Sequence, residues 1–94
     1  MDIENIAKCL NLVLISRKSS FRCTARVYET SSFINGKSRI VHCEIVAGKG
    51  GEQRKPFLSE SLLYKEGEDS KEKVMQHLEM KVLVAAFLKI GELL

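Results

Sequence analysis

Two histidines, three cysteines and one glycine-rich lysine run are the residues of this 94-residue chain whose types suit chemistry. His42 adjoins Cys43, and a thiolate beside an imidazole is what a cysteine nucleophile needs. Neighbouring residues of a strand point to opposite faces, so in an extended segment these two do not meet. His77 falls on the polar side of a helical pattern. Cys9, Cys23 and Cys43 are an odd set without paired spacing, each at an apolar position. They read as small core residues in a reducing compartment, and not as a disulfide framework or a zinc or redox motif. Gly48-Lys49-Gly50-Gly51 invites comparison with a phosphate loop. That loop needs Ser or Thr after its lysine and a helix beyond it, whereas here Pro56 and an extended segment follow. No His or Cys pair has ligand spacing, and the carboxylates form no calcium-loop pattern. The expectation is a non-enzymatic chain with no metal, no cofactor and no small-molecule substrate.

What remains is surface charge. The chain carries a net charge of +3, unevenly spread. Residues 1–16 sum to −1, residues 17–55 to +6 and residues 56–94 to −2. The basic middle places Arg22, Arg26, Tyr28 and His42 on one side of a hairpin, with Lys37 and Arg39 at its turn. Lys49, Arg54 and Lys55 lie in the loop that follows. Cations interleaved with aromatic and imidazole rings hold phosphates and stack on bases. The competing reading is an Arg26–Glu44 cross-strand pair on a basic strand that resists edge aggregation.

Elements must position these residues. Ile3, Ile6, Leu10 and Leu14 recur at helical spacing, with Asp2 placed to cap and Arg17-Lys18 at the far end, so residues 2–16 read as a helix. Leu12 and Ile15 fall off the stripe, which leaves a helix ending near Cys9 with a strand from Leu10 as the alternative. Residues 21–29 alternate: Phe21, Cys23, Ala25 and Val27 one way, Arg22, Thr24, Arg26 and Tyr28 the other. A second strand over 38–46 carries Val41, Cys43 and Ile45 on one face, and Asn35-Gly36 marks a hairpin. A two-residue loop would set Val27 against Glu44. A three-residue loop, Ile34-Asn35-Gly36, sets Val27 against Cys43, Ala25 against Ile45, Arg26 against Glu44 and Tyr28 against His42. Because a one-residue slip turns every side chain over, the second register is expected. It keeps Cys23 and Cys43 about 13 Å apart, too far for a disulfide.

Residues 47–55 read as a basic loop. Residues 57–65 read as an edge strand with Leu58, Leu62 and Tyr64 on one side, or as a short helix ended by Gly67; the strand is favoured. A long helix begins at Asp69, with Asp69 and Glu72 at capping-box spacing, and runs to about Ile90. Its apolar stripe changes sides near residue 80: Val74, Met75, Leu78 and Val82 first, then Met80, Leu83, Val84, Phe87, Leu88 and Ile90. Either one small domain surrounds this helix, or its second half docks on another subunit, or it breaks. The docking reading makes Leu83, Val84, Phe87, Leu88 and Ile90 a dimer interface.

The order helix, three strands, helix resembles the double-stranded-RNA-binding domain, whose last helix begins as Ser70-Lys71 does here, after the turn Gly67-Glu68-Asp69. Glu72 stands where that family has a second lysine, Val74 and Met75 where it has small alanines, and Ser31–Gly36 holds no counterpart of its loop histidine. What the resemblance implies is the layer arrangement: α+β, α-β-β-β-α, with both helices on one face of an antiparallel sheet.

The length fits a single domain over residues 1–94 with a small core, a size at which burial often comes from self-association. The acidic start and the short apolar run Leu10–Ile15 do not read as a signal peptide, and no run reaches a membrane span. The expectation is a cytoplasmic regulatory, adaptor or inhibitor protein acting through protein–protein contacts as a homodimer. The alternative is an RNA- or DNA-binding module using Arg22, Arg26, Tyr28, Lys37, Arg39, Lys49, Arg54 and Lys55.

Overall fold

The computed structural model describes residues 2–31, 38–67 and 69–94. Helix α1 (Ile3–Ser16) is followed by strands β1 (Phe21–Ser31), β2 (Ser38–Lys49) and β3 (Lys55–Lys65), then helix α2 (Lys71–Lys89) and a 3-10 turn, Ile90–Leu93. The strands form one antiparallel sheet in the order β1-β2-β3. Both helices pack on one face of it, so the fold is α+β with the α-β-β-β-α arrangement. No helix among the described residues is long and apolar enough to cross a membrane.

In α1, Asp2 accepts a hydrogen bond from the Asn5 N–H at 2.8 Å, which satisfies one of the free donors of the first turn. Ile3, Ile6, Ala7, Leu10 and Leu14 are buried. Leu12 and Ile15 stay exposed, yet the helix runs on through them to Ser16 and no strand begins at Leu10. The end is a Schellman motif, in which the Ser19 N–H reaches the Leu14 carbonyl and the Lys18 N–H the Ile15 carbonyl. Lys18 takes the left-handed position at φ 58°, where glycine is usual.

The β1–β2 register follows side-chain parity: Val27 lies opposite Cys43, Ala25 opposite Ile45, Arg26 opposite Glu44 and Tyr28 opposite His42. The loop Ile34-Asn35-Gly36 that motivates it lies outside the described residues. Cys23, Val41, Cys43, Ile45 and Ala47 face the helices in a core completed by α1 and α2. The Asn11 amide docks α1 to the sheet edge. It donates to the Cys23 carbonyl at 2.9 Å and accepts from the Cys23 N–H at 2.6 Å, taking the place of a neighbouring strand.

The stretch 47–55 is less of a loop than its composition implies, because β2 continues to Lys49 and β3 begins at Lys55. Residues 55–65 are a strand, with Leu62 and Tyr64 on the core side. A register shift between Ile45 and Val46 lets Phe57 and Leu58, though consecutive, both pack on the core. Pro56 sits beside this irregularity on an edge strand, where a missing N–H is tolerated.

Ser70, not Asp69, caps α2, accepting from the Lys73 N–H at 3.4 Å. Asp69 instead accepts from the Lys65 N–H at 2.8 Å and closes the preceding turn. The helix neither breaks nor changes its buried side. Leu78, Val82 and Ala86, four residues apart, are buried on one side of it, and Ile90 of the 3-10 turn continues the line. Small Ala86 continues the stripe. Lys89 lays its stem along the stripe's margin, donates to the Phe57 carbonyl at 2.7 Å and sits 5.1 Å over the Phe57 ring.

Candidate functional site

Two surfaces carry the residues singled out above: the face of the sheet without helices, and the outward side of α2. On the open face β1 and β2 set Arg22, Thr24, Arg26, Tyr28 and Thr30 beside Gly48, Val46, Glu44, His42 and Ile40. Glu44 is the hub. It accepts from Arg26 Nη2 at 2.9 Å and from the Tyr28 hydroxyl at 3.0 Å, with Ser59 Oγ at 3.5 Å. These partners cover a carboxylate that is only 11% exposed, so its burial is compensated on several sides. The hydrogen bond to Glu44, followed by burial, holds the Tyr28 phenol above its usual range and keeps it a donor. Tyr28 and His42 stack with ring centres 4.6 Å apart and planes 14° from parallel. His42 is fixed between hydroxyls, Nε2 at 2.8 Å from Thr30 Oγ1 and Nδ1 at 2.7 Å from Ser61 Oγ. Cys43 faces the opposite way, into the core. Burial raises the thiols of Cys23 and Cys43, and all three cysteines are free.

The basic residues expected at a nucleic-acid or acidic-partner surface do not form one patch. Arg26 is paired with Glu44. Arg39 lies at the far end of β2, paired with Glu66 at 2.6 Å and ten residues, about 33 Å, from Lys49. Lys37 lies outside the described residues. Arg22, Lys49, Arg54 and Lys55 do gather at one end of the sheet. Lys49 is on the core-side parity, 4.7 Å over the Phe21 ring, and Lys55 is exposed beside a cleft also lined by Glu52 and Phe57. Arg22 Nη1 donates to the Ser19 and Phe21 carbonyls at 2.7 and 2.6 Å. Arg54 Nη1 donates to the Arg22 carbonyl at 3.0 Å and to Thr24 Oγ1 at 2.6 Å. Arg54 reaches β1 by crossing β2 above Gly48, where an added Cβ would stand 2.9 Å from Arg54 Cγ. Gly48 is thus the seat of an arginine. The phosphate-loop comparison misses this, because Gly48-Lys49 ends a strand that turns back into β3.

On α2 the exposed side carries Met80, Val84, Phe87 and Leu88, the last 83% exposed. Met80, Val84 and Leu88 form a ridge at four-residue spacing. Beside it runs a groove of about 460 Å³ lined by Glu60, His77, Lys81 and Ala85 with the ridge itself. Of the five residues expected at an interface, Val84, Phe87 and Leu88 are exposed, Leu83 packs partly on the chain's own core, and Ile90 is buried in it. Met80 belongs to the exposed set, and helical spacing from Val84 is the signal that finds it. Comparison with protein-family models, curated proteins and solved structures finds no match for this chain.

Proposed function

We propose that the chain is a non-enzymatic regulatory or adaptor protein that acts through protein–protein contacts, beginning with its own second copy, docked through the outward face of α2. The observation that carries this is a helix with two apolar sides. Leu78, Val82, Ala86 and Ile90 already fill the core, while Met80, Val84, Phe87 and Leu88 lie exposed on the other side. A large apolar side chain left in water forgoes about 1.5–3 kcal/mol of burial, and four adjacent ones mark an interaction surface. A second copy suits it because a twofold axis sets the same ridge and groove against each other. About a twofold axis at Val84, Met80 of one copy meets Leu88 of the other, ridge into groove. The groove carries both Glu60 and Lys81, so each copy offers an acid and a base to the other.

The test is the mass in solution across concentration. The wild type is expected to be a dimer at tens of micromolar, and Phe87→Glu a folded monomer with unchanged far-ultraviolet dichroism. A monomeric wild type, or a variant that stays dimeric, removes this reading.

A further inference from the structure

We infer that the open sheet face is a site for single-stranded nucleic acid, with Arg22 and Arg54 holding the phosphodiester backbone and Tyr28 offering a stacking surface. The inference is independent of self-association, since it uses the sheet face and not α2. It starts from the acceptors of the two guanidinium groups. Each is bonded to carbonyl or hydroxyl oxygens, and neither is paired with a carboxylate among the described residues. Among the described residues, then, their positive charges are held in place without a carboxylate partner. Among the described residues only Nη1 of each is engaged, which leaves the other guanidinium donors for an outside partner.

The two groups dock on consecutive carbonyls of β1, those of Phe21 and Arg22. An anchored planar fork matches phosphate oxygens better than a lysine on a mobile stem does. Anchoring also removes much of the ordering cost that a free arginine meets on binding. The seat is built into the backbone, because only the missing side chain of Gly48 lets Arg54 lie across β2. Arg26 and Arg39, already paired with Glu44 and Glu66, have less charge to offer.

Tyr28 lies six residues along β1 from Arg22 on the same face, about 20 Å away. That lies within the reach of the roughly 4–16-nucleotide sites of single-strand binders. One side of its ring is covered by His42, yet the residue is 43% exposed on an edge strand, so the other side is open. A stacking platform needs unpaired bases, which favours a single strand over a duplex.

The probe is fluorescence anisotropy with labelled oligouridine of about 12 nucleotides and a duplex of the same length, at about 50 and 200 mM salt. The wild type should bind the single strand more tightly than the duplex, and more weakly at the higher salt. Arg22→Gln, Arg54→Gln and Gly48→Ala should each lower affinity about tenfold, the two arginine changes also reducing the salt slope by about 0.7. Tyr28→Leu should weaken binding about tenfold with the slope unchanged. Arg39→Gln should bind like the wild type, and Arg22→Lys should recover part of the loss, which separates lost charge from misfolding. Absence of single-strand binding at low salt overturns the inference. So does tighter binding of the duplex, or an equal loss in Arg39→Gln and Arg54→Gln.

Discussion

Single residues join the layers of this protein. Lys71, at the start of α2, donates to Glu29 on β1 at 2.6 Å, and the Tyr64 hydroxyl on β3 donates to the same carboxylate at 3.3 Å. The Lys71 hydrogen bond, with its charge, holds the Glu29 carboxyl below the usual carboxylate range. A carboxyl depressed in the folded state stabilises the fold above its unfolded value, and that contribution is lost as pH falls through the lowered one. The melting temperature should therefore drop on acidification below about pH 4, and Glu29→Gln should drop less steeply over that window. Parallel curves for the two proteins would show that the pair contributes nothing. Of the polar contacts, Arg26–Glu44 and Tyr28–His42 were legible in the sequence, because parity along two strands allows one register that buries the apolar sides together. Asn11 against Cys23 was not legible, because it depends on where α1 lies over the sheet edge. Nor was Gly48 beneath Arg54, since a glycine ending a strand looks like the loop beside it.

Elements show where local rules and packing part company. The stripe of α1 was readable because its buried positions are all apolar. In α2 the buried stripe passes through Ala86 and along the stem of Lys89, while larger apolar residues stand on the opposite side. A reading weighted by size follows Met80, Val84 and Leu88 and infers a change of face that packing does not make. The distinction is measurable with one residue type. Leu78→Ala should destabilise by about 2–5 kcal/mol because it opens a cavity in the core. Leu88→Ala should change monomer stability by less than about 0.5 kcal/mol, as surface substitutions do. Comparable losses in chemical denaturation would mean that both faces are packed within one copy. At the end of α1, Lys18 holds a left-handed conformation that costs a residue with a Cβ about 1 kcal/mol. Lys18→Gly should recover an amount of that order, read as a higher denaturation midpoint with unchanged slope.

At the scale of the whole molecule, one layer of helices on one face of a sheet separates the two proposed surfaces. The molecule measures 46 × 24 × 16 Å, so the open sheet face and the α2 ridge lie on different sides of a thin body. Occupying one should leave the other free. Phe87→Glu should keep the wild-type affinity per chain for a short oligonucleotide and lose the added affinity for one long enough to bridge two copies. A loss on the short probe would mean that the surfaces are coupled. The fold class was legible because hydrophobic periodicity changes from helical to alternating and back along the chain. The choice of partner was not, because it rests on which apolar and cationic side chains remain exposed after folding. The most direct test of the central claim follows amide chemical shifts while a labelled sample is diluted from high concentration. The account predicts that shifts concentrate at Met80, Val84, Phe87 and Leu88 and at Glu60 beside them. Shifts along β1 or across the open sheet face, or none at any position, would contradict it.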